Sequence, residues 1–143
     1  MNHDLILLPL IAMFMLTYVV GSWMVKLRFK AVKVDGLNPG YFQTNRGAKL
    51  PDYLAKVTNH YVNLFELPVL FYVACLVIYS GNKVDATYII LAWLFVIIRC
   101  AHAYIHTTNN NLRHRRNTFL CGSLVLALMW VRLATQVIST ITN

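Results

Sequence analysis

Residues 86–106 read ATYIILAWLFVIIRCAHAYIH, twenty-one positions in which only Arg99, His102 and His106 carry or readily take a charge. A helix rises about 1.5 Å per residue, so a run of this length matches a hydrocarbon layer about 30 Å thick. Three other stretches have the same character: residues 5–25, interrupted only by Pro9, then 58–79, and then 115–141. Ser80-Gly81-Asn82 and Asn109-Asn110-Asn111 punctuate the chain between them, and Asp85 stands where it can cap the third helix. The long connection, about 26–57, carries turn signals at Asn38-Pro39-Gly40 and Asn45-Arg46-Gly47 and is expected to lie outside the bilayer. The fold class expected is all-α: one integral membrane four-helix domain covering residues 1–143.

Composition agrees. Of 143 residues, 58% are hydrophobic and 13% charged, against about 25% charged in ordinary soluble domains. A water-soluble chain of this make-up would expose large apolar patches. The net charge of +8 comes from cations that flank apolar runs and form no stripe with interleaved aromatics, so nucleic acid is not the expected partner. The first connection holds Lys26, Arg28, Lys30, Lys33, Arg46, Lys49 and Lys56, and the third holds Arg113, Arg115 and Arg116; the second has only Lys83. Ten cations against one predict that the first and third connections face the cytoplasm and that both termini lie on the other side. The N-terminal run lacks a basic leader and a small-residue cleavage site, so it is expected to be retained as a helix. Cys75, Cys100 and Cys121 sit in apolar runs without ligand spacing and are expected to act as small hydrophobes. No metal is expected.

Ionisable groups inside a membrane span are costly and mark functional sites. Glu66, Arg99, His102 and Arg132 need explanation. Arg132 lies near the non-cytoplasmic end of the fourth span, where snorkelling accounts for it. Glu66 is eight residues from Thr58 and Arg99 eight from Thr107, both about 12 Å deep. Opposite charges at one depth on adjacent helices are expected to pair. The same arithmetic places Asn63 beside His102, about 7.5 Å deep. Asn63 and Glu66 are three apart, as are Arg99 and His102, so each pair shares a helix face and the faces meet in a polar seam. Pro68 cannot donate to the carbonyl of Leu64, which predicts a kink or a freed acceptor there. Arg115, Phe119 and Gly122 share a face of the fourth helix, while Arg113, His114 and Arg116 read as anchors to anionic headgroups.

Asn63-Leu64-Phe65-Glu66 with Pro68, Arg99-Cys100-Ala101-His102, and Arg115 with Phe119 and Gly122 together resemble the MAPEG family, the membrane-associated proteins in eicosanoid and glutathione metabolism. The resemblance covers about the last three helices. It implies a homotrimer with glutathione as co-substrate, held between subunits near the cytoplasmic face. Asn63, Glu66, Arg99 and His102 would hold the tripeptide, Arg28 and His106 would be further contacts, and Arg115 would lie by the thiol as the catalytic residue. Glutathione has two carboxylates and an ammonium, which suits arginines and a carboxylate in one pocket, and a guanidinium beside sulfur favours thiolate. His106 stands where the family's enzymes often have tyrosine, and Asn59 and Val62 where cations are common. The implied protein is a divergent, bacterial inner-membrane transferase or peroxidase acting on lipophilic electrophiles. The alternative is a non-catalytic protein that keeps the scaffold to bind lipid or stabilise a trimer. A transporter is less favoured, because the spans show no repeat or discontinuous segment.

Overall fold

A computed structural model describes residues 2–44 and 49–142. The turn signal at Asn45-Arg46-Gly47 lies outside the described residues. A 3-10 turn, His3–Ile6, leads into α1, Leu7–Lys33; a single turn, α2, Tyr41–Thr44, interrupts the connection; α3, Asp52–Asn63, and α4, Leu67–Ser80, form the second span; α5, Ala86–Thr107, and α6, Leu112–Thr142, complete the bundle. Among the described residues, four helical stretches are long and apolar enough to cross a membrane, with α3 and α4 counted as one. The first connection is shorter than the apolar pattern suggests. α1 runs on to Lys33, so Lys26, Arg28 and Lys30 are helical, because nothing in a Lys/Arg-rich stretch breaks a helix until Gly36 adopts φ +70°. Likewise α6 begins at Leu112, where Asn111 Oδ1 accepts from the backbone of Arg113 at 3.0 Å and His114 at 3.3 Å.

The inward faces are narrow. On α1 they are Met13 and Val20 with Met24 and Ala31, a near-heptad stripe that Ile6 of the preceding 3-10 turn continues. On α5 they are Tyr88, Ala92, Phe95, Arg99, His102 and His106, a seam that is apolar at one end and polar at the other. Phe71 of α4 stacks on Phe95 with ring centroids 4.5 Å apart. Outside, Leu8, Ile11, Phe14, Leu120, Leu124 and Val131 are exposed, which suits a surface solvated by lipid and not by water. Cys75 is buried, and Cys100 and Cys121 are exposed.

α5 and α6 pack closely as an antiparallel pair. Gly122 is the point of approach: a Cβ there would sit 3.5 Å from Ile98 and 3.9 Å from both Arg99 and Phe95. At the other end Asp85 caps α5, accepting from the Tyr88 N–H at 3.0 Å. The same carboxylate takes both arms of the Arg132 guanidinium, at 2.7 and 2.6 Å, and that guanidinium lies 4.5 Å over the Tyr88 ring. Arg132 is therefore not a lone snorkelling cation. It ties α6 to the start of α5, a partner hidden from sequence arithmetic because Asp85 is 47 residues away.

Arg132 holds the Asp85 carboxyl below its ordinary value of 3.8, chiefly through that hydrogen-bonded contact. The folded-state value lies below the unfolded one, so the stabilisation is complete above the ordinary carboxylate range and is lost as pH falls through the lowered value. Both ends are partly exposed, 30% for Arg132 and 40% for Asp85, so the pair is worth about 0.5–1 kcal/mol. Melting in detergent should show stability declining from near pH 3.8 downward, with Asp85→Asn flattening part of that slope. An unchanged slope would remove the pair from the stability ledger.

Candidate functional site

The second span is broken where its charged residue sits. Pro68 has no N–H, and its ring crowds the carbonyl four residues back. Regular helix ends at Asn63: Leu64 caps it with helical angles, residues 64–66 form a turn in which Glu66 takes φ −97°, ψ −99°, and the helix restarts with the proline in its first turn. The interruption removes the Leu67 N–H as helical donor to the Asn63 carbonyl, which keeps a long turn bond from the Glu66 N–H at 3.4 Å and accepts from Arg99 as well: Nη2 donates to Asn63 O at 3.1 Å and to Asn63 Oδ1 at 2.7 Å. The Asn63 amide in turn donates to Glu66 Oε2 at 2.6 Å. The expected direct pairing of Glu66 with Arg99 is thus corrected. Among the described residues the charges are joined through Asn63, because the break turns Glu66 outward while Arg99 stays fully buried.

The pairing of Asn63 with His102 is corrected too. Asn63 is spent on Arg99, and His102 Nδ1 meets Thr118 Oγ1 of α6 at 3.0 Å. Thr118 carries one hydroxyl proton, directed at the carbonyls of His114 and Arg115, both at 3.0 Å. With that proton on either carbonyl the hydroxyl oxygen is free to accept from Nδ1–H, and this is the tautomer that leaves the His102 Nε2 lone pair bare. Thr118 carried no signal in sequence, since threonine in a helix is ordinary. His60, absent from the residues expected at the site, is an ionisable residue in the second span, three positions before Asn63. It is wholly buried in α3 between His102 and His106.

A cavity of about 630 Å³ opens beside this network, lined by Asn63, Glu66, His102 and His106 from one side and Arg115 and Phe119 of α6 from the other. Arg113 and Arg116, read as headgroup anchors, line it as well. Arg99 backs the wall through Asn63. Arg115 Nη1 donates to Asn110 Oδ1 at 2.9 Å, which fixes it at the turn between α5 and α6. Arg28 does not line this cavity: it lies 5.1 Å over the Phe42 ring, beside a separate hollow between α1 and the following connection. One chain thus gathers five of the seven expected site residues around one cavity, places Arg99 behind it and leaves Arg28 elsewhere.

The MAPEG family description matches residues 6–135. This chain belongs to the MAPEG family. Among curated proteins and solved structures there is no significant match. As a MAPEG protein it shares a family with glutathione-dependent transferases and peroxidases and with members that do not catalyse. The four spans and the family together make it an integral membrane protein.

Proposed function

We propose that this MAPEG protein is a glutathione-dependent transferase or peroxidase for lipophilic electrophiles, and that the cavity walled by Asn63, Glu66, His102 and Arg115 receives the tripeptide. The supporting observation is charge of both signs around one cavity: Glu66 for an ammonium, and Arg113, Arg115 and Arg116 for carboxylates and sulfur. In this reading the cation-rich end faces the cytoplasm of a bacterial inner membrane, the chains form a homotrimer, and Arg28 contributes from a neighbouring subunit. Arg115 stabilises the thiolate. The sulfur forms a bond to the electrophilic carbon, the leaving group departs with its electron pair, and the thiol proton passes to solvent. With a hydroperoxide, two glutathiones give the disulfide, an alcohol and water. The hydrophobic substrate reaches the cavity from the lipid side.

Purified protein in detergent, given glutathione and a chlorinated nitrobenzene or a lipid hydroperoxide, should turn over. Arg115→Ala should lower kcat/KM about tenfold, the effect of about one unit in thiol pKa. Turnover that ignores this substitution would exclude Arg115 from the chemistry. A second reading draws on the Arg115–Asn110 bond, which gives the guanidinium a structural occupation. In that case the scaffold binds lipid or supports a trimer without catalysis, and glutathione leaves the melting temperature unmoved.

A further inference from the structure

His60, His102 and His106 converge in the polar half of the bundle. Each offers one ring nitrogen, and these atoms all lie within 4.8 Å of one another. The ring centroids form a nearly equilateral triangle with sides of 5.6, 5.2 and 5.6 Å. A point equidistant from such corners lies about 3.2 Å from each centroid, so the rings are spaced for a metal–nitrogen bond of about 2.1 Å once each turns a nitrogen inward, which closes nitrogen separations that reach 4.8 Å. His102 and His106 are four apart on one face of α5, and His60 approaches from α3. The three residues are 0%, 2% and 6% exposed in the order His60, His102, His106.

The polar accounting supports a ligand. Among the described residues, both nitrogens of His60, Nε2 of His102 and Nδ1 of His106 are buried without a hydrogen-bond partner. In a bilayer, unpaired polar atoms cost several kcal/mol each. An ion taking one nitrogen from each ring would satisfy three of these four atoms. Thr118 stands 3.0 Å from His102 Nδ1, placed as the outer partner of a metal-bound histidine is, to accept Nδ1–H and leave Nε2 for the ion. Among the described residues the charged groups facing the cluster are Arg99 and Arg115, both cationic, with Glu66, Arg113 and Arg116 also lining the cavity. Hard ions that want several carboxylates are disfavoured there, while a borderline ion content with neutral imidazole is not.

We propose that His60, His102 and His106 form a binding site for a late first-row transition-metal ion of the zinc class, held by three neutral imidazoles at the wall of the cavity. His102 and His106 both line that cavity, so the remaining coordination position is reachable from it. The inference does not depend on glutathione and is tested without it.

The full-length protein, freed of any histidine tag, is dialysed against excess zinc in detergent, and bound zinc is counted per chain by elemental analysis. About one tightly held zinc per chain is expected, with a rise in melting temperature. Cobalt in its place should show the visible bands of a four-coordinate site, and X-ray absorption should show three imidazole nitrogens. His60→Asn should weaken zinc binding at least a hundredfold, and Thr118→Val about tenfold through the lost support of His102, while His114→Ala, a histidine outside the cluster, leaves it unchanged. Should His60→Asn fail to fold, cobalt spectra of the unmodified protein still decide. Zinc well below one per chain, binding insensitive to His60 and Thr118, or an octahedral cobalt spectrum overturns the proposal.

Discussion

Asn63→Leu should be the most damaging single change in the polar half of the bundle, costing about 3–4 kcal/mol. The substitution preserves approximate shape but removes the 2.7 Å bond that Asn63 Oδ1 accepts from Arg99 and the 2.6 Å bond its amide donates to Glu66. Arg99 is 0% exposed, so no water replaces the lost acceptor, and among the described residues the Asn63 backbone carbonyl at 3.1 Å is the hydrogen-bond acceptor that remains. Bonds to charged groups contribute about 1.5–3 kcal/mol each, and an uncompensated buried charge costs more. The measurement is thermal melting at fixed protein and detergent concentrations. The double variant Asn63→Leu with Arg99→Met should recover part of the loss, because a buried charge replaced by an apolar side chain no longer needs a partner. A single variant within about 1 kcal/mol of the parent would mean Arg99 has other support.

Gly122→Leu is the second large effect, about 3 kcal/mol. A Cβ at this position meets Ile98 at 3.5 Å and Arg99 and Phe95 at 3.9 Å, which is ordinary contact. Gly122→Ala should therefore be nearly neutral. The further carbons of leucine have nowhere to go without parting α5 from α6. Small residues matter here because apolar surface gains nothing by leaving lipid for protein, so close backbone approach carries the association of the two helices. The pair of variants separates the possibilities: equal losses for Ala and Leu would point to backbone flexibility, and no loss for Leu would mean the interface is loose. Displacing Arg99 in this way should also impair whatever the cavity binds.

The bundle was legible in sequence because its solvent is uniform: a span needs only length and apolarity, and both can be counted. The match over residues 6–135 agrees with the resemblance carried by Asn63, Glu66, Arg99, His102 and Arg115. Depth arithmetic brought the right residues to one end of the bundle yet paired them wrongly. The kink that Pro68 predicts is present, but the depth count carried regular helix through to Glu66, whereas the turn at 64–66 rotates Glu66 away and offers Asn63 to Arg99 instead. Arg132 found Asp85 because a cap residue sits outside any span and escapes a count of intramembrane charges. His60 was passed over although its type and place in the span were readable. Thr118 was not readable, since only the crossing of α5 and α6 makes it a partner.

The break in the second span divides the bundle mechanically. α5 and α6 are bolted together at both ends, by Asp85 with Arg132 and by His102 with Thr118, and so behave as a single stiff beam. α3 and α4 are two rods meeting at a joint of three residues, 64–66. Glu66 lies on that joint and Asn63 immediately before it, while Arg115 belongs to the beam. A molecule gripped from both sides of the cavity would span joint and beam at once. Its arrival would set the angle between the two rods, and the membrane-buried α4 would feel what occupies the polar end.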